Sequence, residues 1–94
     1  KKGIVARFGG EEFIALIPST TENECLMACE KLRKSIEDMS TLQRKITVSV
    51  GAVTISPKSD CVISFDDIFK ITDSKLYEAK RSGRNRIKHA HLEY

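Results

Sequence analysis

Two neighbouring glutamates follow a pair of glycines near the start of the chain, at Gly9, Gly10, Glu11 and Glu12. Carboxylates are hard oxygen ligands, and Mg²⁺ usually binds proteins through one or two of them together with substrate phosphates. Glycines let a ligand approach the backbone because they carry no Cβ. Adjacent side chains of a strand point to opposite faces, so we expect at most one glutamate to face a metal unless the turn twists the pair. On the local pattern alone, a solvated acidic turn is the more common alternative.

Four cationic residues fall within seven positions later in the chain, at Lys80, Arg81, Arg84 and Arg86. Lysine would meet a triphosphate as a mobile point charge, and arginine as a planar fork of donors. A purely structural alternative exists, because the helix dipole stabilises cations at the C-terminal end of a helix. Taken alone, this cluster does not decide between a phosphate site and a charged surface.

Three cysteines and two histidines are the other candidate nucleophiles or metal ligands. Cys25 and Cys29 lie one helical turn apart, and we interpret them as small apolar residues on the core face of a helix rather than half of a metal site. Cys61 is expected in a short polar loop, without the features of a reactive thiol. His89 and His91 could bind a metal on one face of a strand, but surface decoration is the simpler interpretation.

Four segments read as strands. The apolar residues 4–8 and 13–17 flank the glycine pair and predict a β-hairpin, because a tight turn needs the positive φ that glycine adopts easily. Residues 46–55 are β-branched and alternate in polarity, which predicts the strongest strand. Gly51 within it indicates a bulge or a close backbone approach. A last strand is predicted at 86–90.

The first of two helices begins near Ser19 or Thr21. Two capping boxes fit, Ser19 with Glu22 and Thr21 with Glu24, and the sequence leaves both open. Spacings of three and four predict an apolar stripe made of Cys25, Cys29, Leu32, Ile36 and Met39. The charged residues between them read as a solvated face, namely Glu30, Lys31, Arg33, Lys34, Glu37 and Asp38.

The second helix is expected to begin after an N-cap at Ser64, with Asp66 and Asp67 in its first turn. Gly83 fits the position just beyond its C-terminal end. Its inward stripe is predicted at Phe65, Ile68, Phe69, Thr72, Leu76 and Ala79. The predicted order is therefore strand–strand–helix–strand–helix–strand.

The composition fits a single domain with a small core. The chain has 94 residues, 40% of them hydrophobic and 31% charged, and a net charge of +3 that permits an anionic partner without requiring one. Four Phe, two Tyr and no Trp argue against a stacked-base platform for nucleic acid. No apolar run approaches the roughly 20 residues of a membrane span, so we expect no membrane contact. The odd cysteine count favours reduced thiols in the cytoplasm, and no signal peptide is expected.

Two segments together resemble the signatures of one family, the GGDEF domains or diguanylate cyclases. Residues 7–13 (RFGGEEF) resemble the family motif in its GGEEF form. Residues 49–51 (SVG) resemble its central strand, and 73–80 (DSKLYEAK) with 83–86 (GRNR) resemble its C-terminal motif. The matches follow the order and spacing of the family over essentially the whole chain, which chance seldom produces.

This resemblance implies a bacterial signalling enzyme that condenses two GTP molecules into cyclic di-GMP and releases two pyrophosphates. It implies Mg²⁺ or Mn²⁺ as the cofactor, and a homodimer in which two domains meet face to face, each holding one GTP. It also implies fused sensory or regulatory domains, and a location in the cytoplasm or in the cytoplasmic part of a membrane-bound sensor. It implies no nucleic-acid partner.

The resemblance carries over to individual positions. Glu11 matches the family's metal ligand and proposed base, and Glu12 matches a neighbouring carboxylate that metal binding and activity also need. Gly9 and Gly10 match the glycines that let the nucleotide lie along the hairpin. Lys80 and Arg84 match the family's phosphate-binding pair.

The implied fold class is α+β, a β-hairpin–α–β–α–β portion of a palm-like (ferredoxin-like) sheet flanked by helices. The family domain is longer than this chain, so we expect residues 1–94 to be the C-terminal portion of a single GGDEF domain. That portion would lack the first strand, which carries a second metal-binding aspartate and is expected to lie centrally in the sheet. It would also lack the two first helices, whose Asn and Asp recognise guanine.

Several expectations follow for the isolated chain. It would be inactive as a cyclase and would bind GTP weakly and without guanine selectivity. Exposed strand edges and apolar helix faces would favour dimerisation or strand exchange. Gly3 stands where many members have the aspartate of an inhibitory RxxD site, so product inhibition at that site is not expected.

Two alternatives stay open. The chain could belong to a degenerate GGDEF module that binds GTP, or that serves dimerisation or regulation without catalysis. It could also be a generic small α+β domain with no nucleotide role. The presence of both Glu11 and Glu12, with Lys80 and Arg84, favours the enzyme.

Overall fold

The computed structural model describes residues 4–7, 13–16, 20–56 and 64–93. Their order confirms the predicted sequence of strands and helices. The elements are β1 (Ile4–Arg7), β2 (Phe13–Leu16), α1 (Glu22–Glu37), β3 (Val50–Ser56), α2 (Phe65–Arg81) and β4 (Ile87–Glu93). Within the described residues, neither helix has the length and apolar content that crossing a membrane requires.

The predicted hairpin is confirmed as an antiparallel pair of β1 and β2. The pairing runs from Ile4 opposite Leu16 to Arg7 opposite Phe13. The hairpin strands approach no other described helix or strand, and the described strands form two separate two-stranded sheets. The α+β class is therefore confirmed, whereas the described strands do not form the single palm-like sheet that the resemblance implies.

The second sheet is a parallel pair of β3 and β4, joined by α2 as the crossover that parallel strands need. Its register runs from Val50 opposite Ile87 to Ser56 opposite Glu93. β4 is thus longer than the predicted strand at 86–90.

β3 starts four residues later than predicted. The N–H of Val50 donates to the carbonyl of Arg86 over 2.9 Å, and the ladder with β4 begins there. Upstream, the hydroxyl of Ser40 bridges the backbone of Ile46. It accepts from the Ile46 N–H at 2.8 Å and donates to the Ile46 carbonyl at 2.9 Å. The Ser40 side chain thus forms the hydrogen bonds of the Ile46 N–H and carbonyl that a neighbouring strand was expected to form.

The structure resolves the open start of α1 in favour of Thr21. The Thr21 hydroxyl accepts from the Glu24 N–H at 3.1 Å, and the Glu24 carboxylate accepts from the Thr21 N–H at 3.0 Å. The predicted apolar stripe is covered only in part. Cys25, Cys29 and Ile36 are half-buried, whereas Leu32 is 52% and Met39 67% exposed.

The N-cap of α2 is Ser64, as predicted, and its hydroxyl accepts from the Asp67 N–H at 3.2 Å. Ala79 is fully buried, and the middle of the predicted stripe is half-buried. Phe65 was wrongly placed in that stripe. It is 59% exposed, and its ring stacks on that of Phe69 with 6.2 Å between centroids, one turn further along the helix.

The two helices cover opposite faces of the β3–β4 sheet. A Cβ on Gly51 would touch the backbone of α2, so that face of β3 lies against this helix. Ala52 and Thr54 belong to the other face, because strand side chains alternate, and both are buried. The small core predicted from the chain length is confirmed for the described residues, where Ala52 and Ala79 are the buried hydrophobic residues.

Candidate functional site

Lys80 lies in the last turn of α2 with its side chain exposed. With Asp73, Leu76 and Tyr77 it lines a shallow surface depression along one side of the helix. These residues share that side because positions three, four and seven apart are neighbours on a helix. The depression therefore combines a cation, a carboxylate, an aromatic ring and an apolar floor.

After Ser82, the C-cap of α2, three successive residues adopt positive φ. The values are +127° for Gly83, +61° for Arg84 and +48° for Asn85. Gly83 occupies the predicted position beyond the helix end, and the Arg84 N–H donates to the Ala79 carbonyl over 2.9 Å, as in a Schellman motif. Holding a non-glycine residue in this region costs about 1–3 kcal/mol, and such a conformation persists only where the surroundings enforce it. The turn that carries Arg84 is therefore strained.

The structure separates the four cations that cluster in the sequence. The Arg81 guanidinium lies 5.6 Å from the centroid of the Tyr77 ring and donates to the Tyr77 hydroxyl at 3.1 Å. Arg86 folds back over Gly83, and its Nε donates to the Arg84 carbonyl at 3.1 Å. The exposed guanidinium of Arg84 has no hydrogen-bond or ion-pair partner within the described part of the chain.

The same turn is tied to α1 through the side chain of Asn85. Its Nδ2 donates to Glu37 Oε2 at 2.6 Å, and its Oδ1 accepts from Arg33 Nη1 at 2.9 Å. The Arg33 guanidinium in turn donates twice to Glu30, at 2.8 and 2.6 Å, and lies 3.4 Å from Glu37 Oε1. The side chain of Arg33 is only 15% exposed, so the interpretation of this charged face as simply solvated is wrong for Arg33.

These contacts shift the pKa values of the acidic partners. The pKa of Glu37 is lowered chiefly by its hydrogen bond from Asn85, with a further contribution from the positive charge of Arg33. The pKa of Glu30 is lowered chiefly by its hydrogen bonds from Arg33. The pKa of Arg33 is raised by the same contacts, so both charge-assisted pairs are ionised at neutral pH.

The two histidines are not surface decoration. His89 Nε2 and His91 Nδ1 lie 2.9 and 2.7 Å from the buried hydroxyl of Thr54. Glu22 lies beyond them, with a carboxylate oxygen 3.6 Å from His91 Nδ1 and another 4.0 Å from His89 Nδ1. The side chain of His89 is only 9% exposed. This cluster joins β3, β4 and the start of α1.

No group of three or more His, Cys, Asp or Glu side chains in the described ranges is placed to hold a metal ion. Cys25 and Cys29 are free thiols, both half-buried. The pKa of Cys29 is raised to about 12, mainly by burial and also by its neighbour Cys25. This supports the interpretation of the pair as packing residues. Cys61 lies outside the described residues.

The hairpin residues Gly9, Gly10, Glu11 and Glu12 also lie outside the described residues, between the ends of β1 and β2. The described hairpin strands β1 and β2 contact each other and no other described helix or strand.

Sequence reasoning missed both networks described above. The α1 partners could have been paired from their spacing, since Glu30 and Arg33 are three residues apart and Arg33 and Glu37 are four apart. Asn85, 48 positions after Glu37, carries no local signal that points to its partner.

Comparison with known proteins identifies the family. Residues 1–86 match the family model described as "Diguanylate cyclase, GGDEF domain". The chain is 36% identical to "Diguanylate cyclase A" of Treponema denticola over 84 residues, which cover 87% of this chain and 22% of that protein. It is 40% identical over 92 residues to "Probable diguanylate cyclase DgcF" of Escherichia coli K12, covering 90% of this chain and 29% of the relative.

A third relative is "Diguanylate cyclase DgcM" of Escherichia coli K12. It is 38% identical over 88 residues, which cover 93% of this chain and 20% of the relative. The chain therefore spans less than a third of the length of each of these relatives. The family model matches far more than half of the chain and includes both segments that carry the resemblance. The chain belongs to the GGDEF family of diguanylate cyclase domains.

Proposed function

We propose that residues 1–94 form the C-terminal part of a GGDEF domain that condenses two GTP molecules into cyclic di-GMP and two pyrophosphates. The observation that carries the proposal is the family match over residues 1–86, which spans the Gly-Gly-Glu-Glu segment and the cationic turn after α2. The much greater length of the relatives supports fused domains in the complete protein.

Glu11 and Glu12 are the proposed metal ligands, and Glu11 is also the proposed base. Two carboxylates next to a nucleotide triphosphate are a donor set that suits Mg²⁺ or Mn²⁺. Such a metal, when bound, lowers the charge on the phosphates and stabilises the leaving pyrophosphate. Gly9 and Gly10 beside them would let the nucleotide lie close to the backbone.

Lys80 and Arg84 are the proposed phosphate-binding residues. Arg81 and Arg86 have intramolecular partners, so the exposed Arg84 is the arginine of this cluster best suited to a ligand. The exposed side chain of Lys80 lies at the same end of α2. Arginine can grip a phosphate with two parallel hydrogen bonds, and lysine adds a mobile charge. Their role would be to bind the triphosphate and to stabilise charge that builds on the departing pyrophosphate.

Catalysis in this proposal needs two copies of the domain. Each copy holds one GTP, and the two nucleotides face one another so that each 3′-hydroxyl attacks the α-phosphate of the other. Holding two reactants in this orientation removes much of the entropic barrier to a reaction between them. The proposed active species is therefore a homodimer.

The test is a cyclic di-GMP assay with GTP and Mg²⁺ on the protein that contains this chain within its complete domain. Glu11→Gln should abolish product, and Lys80→Gln and Arg84→Gln should each raise KM for GTP about tenfold, since each removes a charge-assisted contact. Lys70→Gln is the matched control, because Lys70 lies on α2 about 15 Å before Lys80 and is also exposed.

Failure of the unsubstituted protein to make cyclic di-GMP, with GTP binding intact, would contradict the cyclase proposal and support the non-catalytic alternative. An equal effect of Lys70→Gln and Lys80→Gln would contradict the assignment of the phosphate site to the end of α2.

A further inference from the structure

We propose that Asn85 is a positioning residue for Arg84, fixing the strained turn that presents the Arg84 guanidinium to the nucleotide phosphates. The inference rests on the proposed role of Arg84 in phosphate binding and adds a residue to it. Asn85 would act by anchoring the turn to Glu37 and Arg33 on α1, without touching the nucleotide itself.

The first step is the backbone of the turn. Arg84 and Asn85 both adopt left-handed conformations, with φ of +61° and +48°, directly after Gly83. Such conformations persist in non-glycine residues only where the surroundings over-determine them, and they concentrate at binding sites. Asparagine tolerates this region better than most residues, whereas arginine has no such preference. Arg84 therefore needs support from its neighbours.

The second step is the contact that supplies this support. The Asn85 amide uses both of its ends on α1, donating to Glu37 Oε2 at 2.6 Å and accepting from Arg33 Nη1 at 2.9 Å. Both partners are charged, and hydrogen bonds to charged groups are the stronger class. Arg33 is itself held by Glu30, so the amide meets a fixed pair of groups.

The third step concerns the backbone hydrogen bonds of Arg84 and the exposure of its side chain. Its N–H is bound to the Ala79 carbonyl at 2.9 Å, and its carbonyl accepts from Arg86 Nε at 3.1 Å. The backbone of Arg84 is thus held on both sides and the next residue is anchored to α1, while its side chain is exposed. This is the arrangement expected where a guanidinium must reach a ligand from a fixed base, because preorganisation lowers the entropy lost on binding.

The experiment uses the complete domain and 3′-deoxy-GTP, which lacks the attacking hydroxyl and so reports binding without turnover. Asn85→Gly keeps the positive φ but removes both hydrogen bonds that hold the turn. It should weaken binding about tenfold if the competent turn is then kept in about a tenth of the molecules, because apparent affinity falls with that fraction. In an Arg84→Gln background the same Asn85→Gly change should have less than about a twofold effect, because a positioning residue acts only through the group it positions.

A rescue separates the specific contact from general stability. Asn85→Asp places a carboxylate against Glu37 and should weaken binding, whereas Asn85→Asp combined with Glu37→Gln exchanges donor and acceptor across the contact. The double variant should recover most of the affinity and the KM for GTP. Thr21→Ala removes the N-cap of α1 far from the turn and controls for a general loss of stability.

Three results would overturn the inference. Asn85→Gly could weaken binding equally with and without Arg84, or it could lower the melting temperature while affinity stays unchanged. The exchanged pair could also fail to recover affinity. A failure of the proposed phosphate role of Arg84 gives a different result. In that case Arg84→Gln alone leaves 3′-deoxy-GTP binding unchanged, and the positioning role of Asn85 is contradicted as well.

Discussion

Gly51 in β3 lies directly against the backbone of Leu76 in α2. A Cβ built on Gly51 would overlap the Leu76 nitrogen, and it would lie 2.7 Å from the Leu76 Cα and 2.6 Å from the Thr72 carbonyl oxygen. All three are backbone atoms of a helix, which cannot turn aside as a flexible side chain can. The absence of a side chain at Gly51 therefore sets how closely α2, with Lys80 at its end, approaches the sheet.

Gly51→Ala is expected to destabilise the fold. The added methyl group forces α2 away from β3, and such overpacking typically costs about 1–3 kcal/mol. The measurement is the free energy of unfolding from urea denaturation, with Ser56→Ala as the control because Ser56 is exposed at the end of the same strand. Equal unfolding free energies for the two variants would contradict the close approach.

Thr54→Val should also lower the free energy of unfolding, by about 1–3 kcal/mol, because it leaves polar groups buried without their partner. Valine keeps the shape of threonine but removes the hydroxyl that contacts His89 and His91 at 2.9 and 2.7 Å. Thr47→Val is the matched control, since Thr47 is exposed, and exposed substitutions usually change stability by less than about 0.5 kcal/mol. If both variants unfold at the same urea concentration, the Thr54 cluster adds nothing to stability.

The contact between Asn85 and Glu37 predicts a pH dependence. The pKa of Glu37 lies below its ordinary value of 4.5 in the folded protein, chiefly because Asn85 donates to the carboxylate. A lowered folded-state pKa means that the unfolded state binds the proton first. The resulting stability is fully present well above pH 4.5 and is lost as the pH falls through that value and then through the folded-state pKa.

Urea denaturation at a series of pH values from 6 down to about 3 tests this window. Glu37→Gln should flatten the decline in stability, because the titrating carboxylate is gone. Asn85→Gly should flatten it partly, because Arg33 still lowers the pKa of Glu37. A decline of the same steepness in all three proteins would show that this contact does not link protonation to folding.

The features that could be predicted from the sequence are those with a local cause. The cap of α1 needed only Thr21 and Glu24, three residues apart, although the competing pair at Ser19 could not be excluded without coordinates. Gly83 marks the end of α2 because its positive φ is a property of one residue. Gly51 could be recognised as a special position, but not as the site of contact with α2.

The features that were missed depend on pairing between distant segments. His89 and His91 meet Thr54 because β4 runs parallel to β3 with Thr54 opposite His91, and no local pattern contains that register. The same holds for Asn85, whose partner on α1 lies 48 positions away. Phe65 has the spacing of the apolar stripe of α2 but is exposed. Its exposure depends on tertiary packing at the start of the helix, which the spacing does not contain.

Cys29 is expected to resist alkylation in the folded protein. Its pKa is raised to about 12, mainly by burial and further by the neighbouring Cys25, so very little thiolate is present at pH 8. Since the thiolate is the nucleophile, iodoacetamide should modify Cys29 much more slowly in the native protein than in urea. Tryptic digestion places Cys25 and Cys29 in the same peptide, residues 8–31, and fragmentation of that peptide distinguishes the two cysteines.

A Cys25→Ser variant sharpens this measurement. It removes the Cys25 thiol, which raises the pKa of Cys29 after burial, so native alkylation of Cys29 should become faster but stay well below the rate in urea. Because burial is the larger cause, most of the protection should survive the substitution. Native modification of Cys29 at the rate of the unfolded chain would instead mean that the thiol faces solvent, and the interpretation of the pair as packing residues on α1 would be wrong.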